Sequence, residues 1–71
     1  MRSKILKGFL MVRGHDIDWL ANELGMSQKT LYLKLSGKTQ FKYDEMVKIR
    51  QTLDLNAGEF LSIFPNLIGD E

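Results

Sequence analysis

Residues 16–37, DIDWLANELGMSQKTLYLKLSG, hold two short helical patterns on either side of the break Gly25-Met26-Ser27. In the first, Ile17, Leu20, Ala21 and Leu24 recur at i, i+3, i+4 and i+7, which is one apolar stripe on a 3.6-residue helix. Asp16 precedes the stripe and can accept a bond from an orphan backbone N–H, so it reads as an N-cap. Gly25 follows the stripe where a left-handed residue is needed, a conformation only glycine enters cheaply. Ser27 then caps a second helix with Leu31 and Leu35 inward, and Gly37 closes it. Ala21 is small where the two helices must pass closely, and Met26 can plug the corner between them. A helix, a glycine-bearing three-residue turn and a second helix make the sequence form of a helix-turn-helix, at about residues 17–36.

The remainder of the chain gives a frame for that unit. Seventy-one residues make one domain, and a chain of this size buries only about 60% of its unfolded surface. A hydrophobic content of 44% is that of a globular protein. With no cysteine, disulfides and thiolate metal sites are excluded, which fits a reducing cytoplasm. The apolar run Phe9 to Val12 is too short for a signal peptide core or a membrane span. Net charge is +1, but the charges are blocked. Residues 1–13 carry Arg2, Lys4, Lys7 and Arg13 without an acid, and residues 27–42 carry Lys29, Lys34, Lys38 and Lys42 without an acid. Asp16, Asp18 and Glu23 lie between these blocks, and Asp54, Glu59, Asp70 and Glu71 make the last third acidic. Such a distribution suits a domain with one face turned to a polyanion, although solvated surface lysines give the same pattern.

Taken in order, Ser3 is expected to cap a first helix to about Arg13, with Leu6 and Phe9 inward and Ile5, Leu10 and Val12 flanking. Gly8 weakens that helix by roughly 1 kcal/mol against alanine. Gly14-His15 forms the connection, and His15, with no second ligand nearby, reads as a loop side chain rather than a metal ligand. Trp19 is read as lying across the edge of the core with its indole N–H wet; an exposed partner contact is the alternative. Phe41 anchors the polar loop that follows Gly37. A fourth helix is expected from about Tyr43 to Leu53, with Met46, Ile49 and Leu53 inward, and acids first and bases last as the helix dipole favours. Asn56-Ala57-Gly58-Glu59 reads as a capping-box variant that opens a fifth helix, which Pro65 ends.

Gly14, Leu20-Ala21, Leu24-Gly25-Met26-Ser27-Gln28, Leu31 and Leu35-Ser36-Gly37-Lys38 together resemble the phage Cro/repressor-like helix-turn-helix regulators, a lambda-repressor-like group. The likeness extends to Glu45, Ile49, Leu53 and Phe60 and so covers most of the chain. It implies a compact, all-α, five-helix DNA-binding domain: a phage or prophage regulator acting as a homodimer on an operator, cytoplasmic and nucleoid-associated in a bacterial host. In such a domain the second helix of the unit enters the major groove. Gln28 can then pair with an adenine edge, Lys29 can reach guanine or a phosphate, and Leu33 suits a thymine methyl. Tyr32 completes the base-reading set. Lys34, Ser36, Lys38, Thr39 and Lys42 would hold the sugar-phosphate backbone, contacts that set register and affinity rather than sequence.

Two positions depart from the family pattern. Ile17 stands where many members place a glutamine, and Leu33 where they place a polar base-reading residue. Both remove hydrogen-bond capacity, which bears on sequence readout more than on affinity.

The last segment carries more apolar groups than a short helix can cover. Phe60 and Phe64 are assigned to the core, while Leu61, Leu67 and Ile68 would leave an exposed patch. Segment 56–68 is therefore the expected dimer interface. No catalytic constellation, Gly-rich phosphate loop or small-molecule site is evident, so no enzyme, cofactor or metal is expected. Two rival readings keep the fold: a protein-interaction module docking through Trp19 and the C-terminal patch, and a non-specific DNA binder. A full phage repressor carries a further domain, so the chain is expected to be either Cro-like or a fragment.

Overall fold

Each helical stretch predicted from the sequence buries at least one aliphatic side chain in a common centre. The computed structural model describes residues 2–65, and all regular structure among them is helical. The elements are α1 (Ser3–Val12), α2 (Ile17–Leu24), α3 (Gln28–Leu35), α4 (Tyr43–Leu53) and α5 (Ala57–Ile63). Leu6 and Leu10 of α1, Leu20 of α2, Leu31 of α3, Ile49 and Leu53 of α4 and Ile63 of α5 are all but inaccessible. α2 packs on α3 and α4, and α1 packs on α5. Ile17 joins this core, so its side chain is spent on packing.

The helix ends follow from local chemistry. Asp16 Oδ1 accepts from the Trp19 N–H at 2.9 Å, and Ser27 Oγ accepts from the Thr30 N–H at 3.1 Å. At α5 the capping box is complete: Glu59 N–H donates to Asn56 Oδ1 at 2.8 Å, and Asn56 N–H donates to Glu59 Oε1 at 2.9 Å. After α2, Gly25 sits at φ 70°. Its N–H reaches the Asn22 carbonyl at 3.2 Å and that of Met26 reaches Ala21 at 3.0 Å, the paired bonds of a Schellman motif. Met26, the next residue, is half-buried against the core, the apolar contact that accompanies this motif.

α1, α3 and α4 end on the same bond pattern, and at α4 the left-handed position is held by Asp54 at φ 54° rather than by glycine. An alanine Cβ at Gly25 would meet nothing within 4 Å, so its penalty is conformational only. Gly25→Ala should therefore cost about 1–2 kcal/mol, read as a lower urea midpoint with an unchanged slope.

Three expectations need correction. Ser3 does not cap α1; Arg2 occupies the cap position without a side-chain bond, and its N–H is used by the Ile63 carbonyl at 2.9 Å. That long-range bond ties the start of α1 to the end of α5. Leu6 pairs inward with Leu10 rather than Phe9, while Val12 is 84% exposed. Phe9 is turned to the edge, under the Arg13 guanidinium at 5.6 Å from the ring centroid. Arg13 is itself committed inside the protein: Nε donates to the Leu53 carbonyl at 2.8 Å and Nη1 to the Phe9 carbonyl at 3.2 Å. Half of an arginine fork thus supplies a donor that the last turn of α4 lacks.

Candidate nucleic-acid interface

α3 is held by its ends and by one buried leucine, which leaves its opposite side free. Leu31 is fully buried and Leu35 packs at the edge of the core. Lys29, Tyr32, Leu33 and Ser36 follow one another at i, i+3, i+4 and i+7, a single stripe on the other side. Gln28, Lys29, Thr30, Tyr32 and Ser36 are exposed, with Tyr32 at 51%, whereas Leu33 is only half-exposed.

The turn after α3 is drawn tightly back onto that helix. The Leu33 carbonyl accepts from Ser36 Oγ at 3.0 Å, and from the N–H groups of Lys38 and Thr39 at 3.0 and 3.3 Å. Because those two N–H groups are used internally, Lys38 and Thr39 offer an external ligand their side chains, both of which are exposed. Phe41 anchors the far end of the loop, as expected, with its ring edge-to-face on Phe64 at 5.8 Å. Lys42 follows at the cap of α4, exposed, with its N–H donating to Glu45 Oε1 at 2.8 Å. Among the described residues, Lys29, Lys38 and Lys42 have no carboxylate partner. These three free ammonium groups belong to the acid-free segment 27–42.

Lys34 stands apart from the other lysines of this segment. Its Nζ lies 3.1 Å from Glu45 Oε1 and 3.1 Å from the Gln40 carbonyl oxygen, and 5.8 Å from the centroid of the Phe41 ring. Its side chain is only 10% exposed. Partial burial opposes ionisation of Glu45, but the Lys42 N–H, the Lys34 hydrogen bond and the charges of Lys34 and Lys42 outweigh it. The carboxyl is therefore held below the usual carboxylate range. What this contributes to folding is present in full at neutral pH and is lost as pH falls through that depressed value.

Tyr43 is a surface residue that sequence reasoning placed only as a helix start. It is 67% exposed and directly follows Lys42; an aromatic side chain closing a basic, polar loop was the signal for it. Trp19 lies half-buried at the edge of the core, as expected, and stacks on His15 with ring centroids 3.6 Å apart and planes 7° from parallel.

The expected C-terminal patch has a different basis. Leu61 is half-buried rather than exposed; α5 rests on the core through Phe60 and Ile63, and Phe64, just after it, is buried as well. Leu67 and Ile68 lie outside the described residues. Among the described residues the strongly exposed aliphatic groups are Met11 and Val12 at the end of α1, and Met11 lines a shallow depression together with Lys7, Leu10, His15, Asp16 and Ile17. Among the same residues no three His, Asp or Glu side chains converge as a metal site would need, and no helix is long and apolar enough to cross a membrane.

The chain matches no known family model, no curated protein and no solved structure. Any functional reading therefore rests on the surface just described.

Proposed function

We propose that the domain is a lambda-repressor-like helix-turn-helix regulator that binds double-stranded DNA with α3 in the major groove. The observation that carries this reading is the exposed stripe Lys29–Tyr32–Ser36 with Gln28 at its head, on a helix capped at both ends and continued by Lys38 and Lys42, which have no carboxylate partner among the described residues. In this reading Gln28, Lys29, Tyr32 and Leu33 meet base edges. Lys38, Thr39 and Lys42 hold phosphates through their side chains, and Ser36 and Tyr43 border that strip. Repression or activation follows from occupying an operator as a homodimer, whose two reading helices meet half-sites about one DNA turn apart.

A second reading, a protein-interaction module of the same fold, is favoured by the His15–Trp19 stack together with exposed Met11 and Val12. A third, non-specific DNA binding, follows if the lysines act alone. Two substitutions separate them. Gln28→Ala should cost about 1–3 kcal/mol on the preferred duplex and relax preference at one base pair, while Lys38→Ala should weaken all duplexes alike. Electrophoretic or fluorescence titrations read both, and DNA binding unaffected by either change would favour the interaction module.

A further inference from the structure

We infer that Lys34 and Glu45 form a positioning pair for DNA binding, in which a carboxylate beside the basic strip strengthens the hold on a polyanion instead of weakening it. The inference rests on the DNA-binding reading above and adds to it a role for two residues that touch no DNA.

Lys34 lies in the basic block and has the reach of a phosphate ligand, yet its ammonium is already engaged. Glu45 Oε1 and the Gln40 carbonyl each lie 3.1 Å from Nζ, and the Phe41 ring covers another side. Glu45 Oε1 also accepts the Lys42 N–H at 2.8 Å. One carboxylate oxygen and one ammonium thus join the last turn of α3, the middle of the loop and the cap of α4. Lys38 and Thr39 sit between these fixed points, and Lys42 is one of them. Without the pair, the loop keeps the backbone bonds to the Leu33 and Lys34 carbonyls at its start and the Phe41 ring near its end.

The predicted signs are opposite to those of simple electrostatics. Removing an acid next to a DNA-facing surface ordinarily relieves repulsion and tightens binding; here Glu45→Ala weakens it. Removing a lysine that neutralises a phosphate lowers the slope of log K against log salt by about 0.9; here Lys34→Met leaves the slope unchanged.

The test is a salt series of binding to a mixed-sequence duplex. It compares the full chain with Lys34→Met, Glu45→Ala, their double variant, Lys34→Arg, and Lys38→Met as a phosphate-contact control. Circular dichroism melts confirm that each variant is folded, and amide exchange follows residues 37–42. Both single variants are expected to lose about tenfold in affinity, with the double variant no worse than either, the non-additivity of coupled neighbours. Lys34→Arg should retain binding, only Lys38→Met should lower the slope, and amides of the loop should exchange faster when either partner is removed. Tighter binding by Glu45→Ala, a lowered slope for Lys34→Met, or additive losses in the double variant would each overturn the pair's role. If the unaltered chain binds no duplex at low salt, the DNA-binding reading itself fails, and this role fails with it.

Discussion

Leu31→Ala is expected to lower stability by about 2–5 kcal/mol, the usual range for emptying a leucine site in a packed core. Leu31 is completely inaccessible and is the one fully buried side chain of α3. Leu35, one turn later, sits at the edge of the core and cannot replace it. A domain of 71 residues has a total stability of only about 4–11 kcal/mol by the general per-residue range. Losing this one side chain therefore consumes a large share of it, and the thermal midpoint should fall by roughly 10 °C or more. Circular dichroism in a urea series gives the free energy directly. Met11→Ala is the control, because Met11 is 76% exposed and should shift stability by no more than about 0.5 kcal/mol. If Leu31→Ala behaves like Met11→Ala, α3 is not docked as described.

The second large effect is electrostatic. Changing Lys29, Lys38 and Lys42 together to alanine should lower the salt slope of DNA binding by about 1.8 per subunit, from the two phosphate contacts of Lys38 and Lys42 at about 0.9 each, while Lys29 is lost from a base edge. Affinity at low salt should fall by about two orders of magnitude or more for every duplex tested. All three ammonium groups lack carboxylate partners among the described residues, so the triple variant should keep its fold. A slope that stays the same while affinity falls would mean that the lysines act by some means other than phosphate neutralisation. An unchanged affinity would remove this face from DNA binding.

Signals that act over three or four residues were readable in the sequence. Asp16, Ser27 and Asn56 announced their helices by N-cap chemistry, Gly25 and Gly37 announced the ends, and the α4 boundaries follow from periodicity. These features survive folding because each partner lies within a turn of the residue that needs it.

What the sequence did not disclose depends on chain segments that meet only in the fold. The α1 face was misplaced by one position because α5, which packs on α1, cannot be weighed from the α1 sequence. Arg13 counts in the sequence only as one of the first basic block, whereas its Nε donates to the Leu53 carbonyl, forty residues away, at 2.8 Å. Lys34 and Glu45 lie on different helices with no shared local pattern, so the pairing that turns Lys34 inward had no sequence signature. Leu55 is an intermediate case. It is buried, and its place just after the left-handed Asp54 is where a Schellman motif brings in an apolar residue; a glycine at position 54 would have made that end visible.

The most direct test of the central claim is a binding titration with two duplexes, the chain's own upstream intergenic DNA and a scrambled version, each at low and at physiological salt. An operator-reading α3 predicts a preference for the native duplex of about 10³ or more, with affinity for both falling as salt rises. Equal, salt-sensitive binding to the two duplexes would contradict base reading by Gln28 and its neighbours. No binding to either would contradict the DNA reading as a whole and leave His15, Trp19 and the end of α1 as the surface to pursue.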